Sequence, residues 1–247
     1  MPYHQVVSIM KPKISVITIC YNAVDLIEKT ILSVLHQSYD NIEYIIIDGN
    51  STDGTVDIIQ KYANQLAYWI SEPDGGIFDA MNKGLDHATG EWVNFMNAGD
   101  WFYSDDVVAQ ISTNMSKEHT IIYGNTLYRR EKGDAIEQAC EPAYIKRNMP
   151  TCHQSFFVRT QLAKEIGFDI HYRYAADYNM MYLIYKRYGL EGIQHRDITV
   201  SAYEAFEGLS MVHANEVYRE TLHIRDNSLH KFCGYVRYFI KKIIGRK

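Results

Sequence analysis

PKISVITICYNAVDLIEKTILSVLHQSYDNIEYIIIDGNSTDGT, residues 12–55, decides the fold class. Ile14 to Cys20 is a short β-branched run that reads as a buried strand. Asn22 is placed to cap a helix on which Val24, Ile27, Ile31, Val34 and Leu35 fall at helical spacing. Ile42 to Ile47 is a second buried strand, and Asp48 to Gly54 is rich in turn formers. A helix over about residues 55–63 follows, with Thr52 or Asp53 as its cap.

The same alternation continues outward. Leu66 to Ile70 is a weaker strand that ends in Glu72-Pro-Asp-Gly-Gly76. Ile77, Met81 and Leu85 stripe a third helix. Glu91 to Met96 is a fourth strand, stopped by Asn97-Ala-Gly-Asp100. The β-α-β-α-β-α-β order predicts a parallel sheet with helices on both faces. Such sheets bind ligands beyond the carboxyl ends of their strands. Those ends hold Tyr21-Asn22, Asp48, Glu72 to Asp74 and Asn97 to Asp100, so polar and acidic residues converge on one edge.

Beyond residue 100 the pattern predicts a helix near 105–115, a strand near 120–123 and mixed, antiparallel structure over 126–150. His153 to Val158 reads as a strand and Thr160 to Ile166 as a short helix. Ala176 to Tyr188 reads as a long helix closed by Gly189, and 213–229 as another. No repeat, low-complexity tract or long linker interrupts the chain.

Composition narrows the function. Apolar residues make up 47% of the 247 residues and charged residues 22%, enough for a packed core and against wholesale disorder. A net charge of −5 argues against a dedicated nucleic-acid binder. No apolar run approaches the length of a membrane span. The N-terminal stretch is too weakly apolar for a signal peptide, so a cytoplasmic location is the expectation. Cys20, Cys140, Cys152 and Cys233 have no CxxC spacing, which argues against structural zinc. The Asn50-Ser51-Thr52 and Asn114-Met115-Ser116 triplets match a glycosylation pattern that such a location would leave unused. Six basic residues and no acid lie between Lys231 and Lys247, against 19 basic and 30 acidic residues in the first 230. A basic, aromatic tail of this kind suits an anionic membrane surface, or a helix packed on the body or on a second copy.

No GxGxxG follows the first strand and no GxxxxGK[ST] occurs, so dinucleotide and P-loop chemistry lose ground. Asp48, at a strand end, could accept hydrogen bonds from a base or ribose, or simply form the turn. Asp53 reads first as a cap. Asp100 could supply a carboxylate to Mg²⁺ or Mn²⁺, with Asn97 as a supporting carbonyl, since these ions take one or two carboxylates and complete their shell with phosphate and water. A turn that caps the next segment is the alternative.

Residues 12–55 together with EPDGGIFDAMNKGLDHATGEWVNFMNAGDWF, residues 72–102, resemble the family 2 glycosyltransferases, closely over about 13–105. The DGGIFDAMNKG and NAGDW stretches are most similar to the bacterial branch that builds polysaccharides and O-antigens. The resemblance implies a GT-A fold: a Rossmann-like, mostly parallel sheet flanked by helices, with a mixed C-terminal acceptor half. It divides the chain into a tail over 1–12, a single domain over 13–230 (nucleotide-sugar half 13–105, acceptor half 106–230) and the basic segment 231–247. The implied activity is inverting transfer of a sugar from a nucleoside diphosphate, UDP before GDP, to a hydroxyl of a glycan or lipid-linked oligosaccharide.

Carried over by position, Tyr21, Asn22 and Asp48 would contact the nucleoside, with Asp53 a weaker candidate. Asp74, Gly75 and Gly76 would line the donor pocket, with Asp79, Asn82 and Lys83 in the adjacent helix. Asp100 corresponds to the last acid of the family's metal-binding DxD element, here reduced to Asn97-Ala-Gly-Asp100, so Mg²⁺ or Mn²⁺ would lean more on phosphate. Asp177, at a helix start, would be the base that takes the acceptor proton, or only that helix's cap. His153, beside Cys152 and Gln154, is the rival base or an acceptor contact. Two other readings stand: a non-catalytic nucleotide- or glycan-binding module, and a sugar nucleotidyltransferase, against which Tyr21 to Val24 offers no glycine for a triphosphate loop.

Overall fold

The structure, a computed structural model, describes residues 11–204 and 212–226. Its strands are β1 (Ile14–Cys20), β2 (Ile42–Asp48), β3 (Tyr68–Ser71), β4 (Trp92–Phe95), β5 (Trp101–Phe102), β6 (Ile121–Arg129), β7 (Ala135–Glu137), β8 (Phe156–Arg159) and β9 (Ile193–Glu204). The helices are α1 (Ile27–Leu35), α2 (Thr55–Tyr62), α3 (Ile77–His87), α4 (Val107–Ser112), α5 (Thr160–Ile166), α6 (Ala176–Tyr188) and α7 (Ala214–Asp226). The segments 1–10 and 227–247, including Cys233 and the basic tail, lie outside the described residues, as does the far end of the helix expected over 213–229.

One sheet runs β3-β2-β1-β4-β8-β6-β9-β5, with β7 paired to β6. The first four strands are parallel, as the alternation predicted. The second half joins antiparallel through β8, and β9 returns parallel to β6. Strand alternation sorts the core into two layers. Ile17, Ile19, Ile45 and Ile47 face Phe78, Met81 and Leu85 of α3 and continue to α5 and α6. Val16, Cys20, Tyr44 and Ile46 face Ile27, Ile31 and Val34 of α1, with Ile59 of α2 and Val107 of α4. A Cβ on Gly84 would lie 2.4 Å from Ile17 Cγ2, so the glycine lets α3 press against β1.

Several sequence expectations need correction. Asn22 does not cap α1, which starts at Ile27; Asn22 sits at φ 46° in the turn leaving β1, and its side chain accepts from the Thr52 N–H instead. Ile77 is exposed, and Phe78 takes its place in the buried stripe of α3. The strand expected over 153–158 begins only at Phe156, after a 3-10 turn over His153–Ser155. The cause lies on β4: the ladder to β8 ends after Val93↔Val158, and the buried Asn94 amide donates to the carbonyls of both Gln154 and Phe156. That side chain takes over two acceptors and frees residues 153–155 to turn.

At the opposite edge, Glu43 ties the strand starts together. It is 7% exposed and accepts from Lys13 Nζ, Ser15 Oγ, and the Thr89 N–H and hydroxyl. Burial pushes this carboxyl up, but the Lys13 ammonium and the hydrogen bonds outweigh it and hold its pKa at about 2, below the ordinary 4.5. A depressed carboxylate stabilises the fold above its unfolded pKa and loses that contribution as pH falls toward the folded value. Urea unfolding of the parent should therefore show stability falling between pH 4.5 and about 2. Glu43→Gln, less stable at pH 7, should lack that component of the acid slope.

Candidate functional site

The parallel strands end in four loops that are bonded to one another. Asp48, wholly buried at the end of β2, accepts from the Ser51 N–H and hydroxyl, the Ser71 hydroxyl and the Cys20 thiol. Its carboxylate thus fixes the loop after β2 to β1 and β3. Burial first, and then the Asp48 charge, push the Cys20 thiol far above its usual range, so it is inert. Asp53 stands before Gly54, which occupies the cap position of α2 at φ 103°. The Asp53 carboxylate accepts from the Thr55 N–H and hydroxyl and from the Val24 N–H, so it steadies the helix start and clips two loops together.

A Cβ on Gly49 would sit 2.6 Å from Asp74 Oδ2 and 3.4 Å from the Tyr21 ring. Gly49 is buried, and its missing side chain lets the Asp74 carboxylate and the Tyr21 ring, itself 66% exposed, close against its backbone. Asp74 Oδ1 accepts from the Gly76 N–H, and Asp79 from the Gly75 N–H, which sets the turn into α3. Lys83 donates to the Pro73 carbonyl and pairs with Glu72 at 2.7 Å. Asn82 lies on α3 as expected. Its amide donates to the Phe168 carbonyl and accepts from the Phe168 N–H, so it joins α3 to the second half.

Asn97-Ala-Gly-Asp100 closes as a turn, with the Asp100 N–H donating to the Asn97 carbonyl and Gly99 at φ 97°. Buried Thr30, inside α1, pins it: the hydroxyl donates to the Asp100 carbonyl and accepts from the Gly99 N–H. Asp100 is only 6% exposed, and Oδ2 accepts from Gln154 Nε2 at 2.6 Å. Asn97 Nδ2 lies 3.0 Å from His153 Nε2, and His153 Nδ1 lies 3.5 Å from Asp177 Oδ2. The 3-10 turn at 153–155 thus brings the two halves of the chain into contact. Sequence reading gave Asn97, Asp100, His153 and Asp177 separately; the structure puts them on the wall of one cavity of about 890 Å³. Asp177 is the second residue of α6, and Ala175 holds the cap position, so the cap role falls away.

Oxygen donors for a hard divalent cation are present at this turn. Asp100 offers a carboxylate, and Asn97 Oδ1 is buried with no hydrogen-bond partner. No group of three or more His, Cys, Asp or Glu that could hold a metal occurs among the described residues. The set fits Mg²⁺ or Mn²⁺ that completes its shell with phosphate oxygens and water. Sequence reasoning missed the rest of the lining: Thr126, Tyr128, Tyr144, Arg173, and Val217 and Thr221 of α7. Tyr128 bonds Cys152, whose thiol burial pushes up to about 12, so Cys152 is no nucleophile.

A family model described as glycosyl transferase family 2 matches residues 15–176. An uncharacterized glycosyltransferase of Mycobacterium tuberculosis is 36% identical over 173 residues, 67% of this chain and 66% of that protein. A PGL/p-HBAD biosynthesis glycosyltransferase of Mycobacterium bovis is 30% identical over 208 residues, 81% of this chain and 79% of that protein. The chain thus spans about two thirds to four fifths of the length of these relatives. Staphylococcus aureus TarS in complex with UDP-GlcNAc superposes with a TM-score of 0.69 at 22% identity, covering 86% of this chain and 65% of TarS. Glucosyl-3-phosphoglycerate synthase of M. tuberculosis, in complex with Mn²⁺, UDP and glucosyl-3-phosphoglycerate, gives 0.60 at 19% identity, covering 87% and 80%. These likenesses show the fold, the GT-A arrangement of a curled sheet flanked by helices.

Thr30→Val keeps shape while leaving the Gly99 N–H and the Asp100 carbonyl without their partner. It should cost about 1–3 kcal/mol in urea unfolding.

Proposed function

The chain belongs to glycosyl transferase family 2, and from that premise we propose that it is an inverting glycosyltransferase. It moves a sugar from a nucleoside diphosphate, UDP before GDP, to a hydroxyl of a bacterial surface glycan or its lipid-linked precursor. The observation that carries this reading is the contact between halves: Asp100 and Asn97 at the end of β4, joined to Gln154, His153 and Asp177 around one cavity.

The nucleoside lies at the strand-end edge, against the exposed Tyr21 ring and within reach of Asp74. Asp48, Asp53 and Asn22 act behind it by holding the loops. Gly75, Gly76, Asp79 and Lys83 shape the turn into α3 beside the diphosphate. Asp100 and Asn97 would hold Mg²⁺ or Mn²⁺, which would supply positive charge toward the diphosphate. In the similar structures the bound donors or products are UDP-GlcNAc, UDP and GDP-Man, with Mn²⁺ in two of them. These favour a UDP donor first.

Asp177 is the base. The acceptor oxygen attacks the anomeric carbon, the bond to the diphosphate oxygen breaks and its electron pair leaves with the diphosphate, while the acceptor proton passes to the Asp177 carboxylate. Asp177 Oδ1 accepts from the Tyr178 N–H at the first turn of α6, which fixes the orientation of the carboxylate. The tautomer we assign to His153 carries its proton on Nδ1 toward Asp177, and Nε2 accepts from Asn97 Nδ2. Both ring nitrogens are then engaged, so His153 orients the base rather than replacing it. The segment 231–247 would lay the protein against an anionic membrane, which suits a lipid-linked acceptor.

Hydrolysis of UDP-glucose, UDP-GlcNAc and GDP-mannose, with water in the acceptor's place, tests this. One donor should be turned over with Mn²⁺ and not after chelation. Asp177→Asn should lower that rate by roughly 10²–10⁴-fold, the usual worth of a general base, with nucleotide affinity unchanged. Full turnover by Asp177→Asn would remove it from the base role.

A further inference from the structure

The loop that delivers Asp177 is held from outside by α7. The N–H groups of Arg173, Tyr174 and Ala175 all donate to the Glu220 carboxylate: Arg173 to Oε1, Tyr174 and Ala175 to Oε2, each at 2.9 Å. Two further contacts join α7 to the same loop. The Tyr172 hydroxyl lies 3.2 Å from His223 Nδ1, and the Tyr174 ring packs on His213 at 4.8 Å between centroids. Arg173, Tyr174 and Ala175 line the cavity, and so do Val217 and Thr221 on the α7 face that carries Glu220.

Among the described residues, Glu220 is the acceptor these three N–H groups find. N–H groups just before and at a helix start are orphaned by the helix pattern itself, and α6 has no side-chain cap of its own. A carboxylate that accepts three of them makes charge-assisted bonds at the positive end of the helix. The segment it fixes is only two residues from Asp177, which in turn lies 3.5 Å from His153.

We propose that Glu220 is a positioning residue: it sets the 173–175 loop, and through it the direction in which Asp177 presents its carboxylate to the acceptor hydroxyl. This rests on the assignment of Asp177 as base. It makes α7, which lies beyond the family match ending at residue 176, part of the catalytic half of the molecule rather than a covering helix.

The test uses the full chain, the donor that the parent hydrolyses, and UDP with Mn²⁺ as the binding probe. Glu220→Gln keeps shape but cannot accept from three N–H groups, and should lower kcat about ten- to a hundredfold, the scale of a misplaced catalytic group. Donor KM and UDP affinity should not move, because the donor edge is built by other loops. In an Asp177→Asn background Glu220→Gln should cost nothing further, since a positioning effect vanishes with the group it positions. Glu220→Asp, one methylene shorter, is the milder variant and should fall between parent and Glu220→Gln. Parental kcat in both Glu220 variants, or a full additional loss in the Asp177→Asn background, would overturn the role while the proposed activity stands. A parent that hydrolyses no nucleotide sugar would overturn that activity, and this role with it.

Discussion

The rest of the site depends on how residues 153–155 cross the end of β4. Asn94, wholly buried on a central strand, donates to the carbonyls of Gln154 and Phe156. A strand residue that uses its side-chain amide in place of the backbone ladder ends that ladder, and the chain beside it is free to turn. Gln154 then reaches Asp100, and His153 reaches both Asn97 and Asp177. Without that crossing, the acids at the strand ends and the acid on α6 would belong to separate surfaces. With it, the group that would take a proton and the groups that would face a diphosphate share one cavity.

The strand-end edge shows a division of labour among carboxylates. Asp48 and Asp53 accept from neighbouring backbone and hydroxyl donors, and so keep loops in register that have no sheet to hold them. Asp74 keeps one oxygen against the bare backbone of Gly49, beside an exposed aromatic ring. A buried charge is costly unless hydrogen bonds surround it, and Asp48 has four donors about it. Those donors tie the loop after β2 to β1 and β3. Lys83 likewise braces Glu72 and the Pro73 carbonyl at the mouth of the same turn.

The first half of the fold was legible because its signals are local. β-branched runs at residues 14–20 and 42–47 and the apolar spacing of α1 and α3 are read from neighbours in sequence, and the parallel order follows from their alternation. The second half was harder for a stated reason. The pairing of β8 is cut short by one buried amide, β9 pairs through two register irregularities with β6, and the two-residue β5 carries no periodicity. None of these leaves a pattern in a short window. The site shows the same contrast: Asn97 and Asp100 could be named from residue type and strand-end position, and His153 and Asp177 through the family resemblance, whereas Glu220 and the α7 wall become visible only once helices distant in sequence are packed together. Asn82 shows the converse, a polar residue beside the donor edge that is occupied by Phe168.

The claim that the end of β4 is a metal-assisted nucleotide site is tested most directly by thermal stabilisation with UDP, GDP, dTDP and CMP, each with and without Mn²⁺, in the parent and in Asp100→Asn. A ligand that binds only the folded chain raises its stability by mass action. The account predicts a Mn²⁺-dependent rise with a single diphosphate, UDP, that disappears in Asp100→Asn. A panel without any shift in the parent, or the same Mn²⁺-dependent shift in Asp100→Asn, would contradict it.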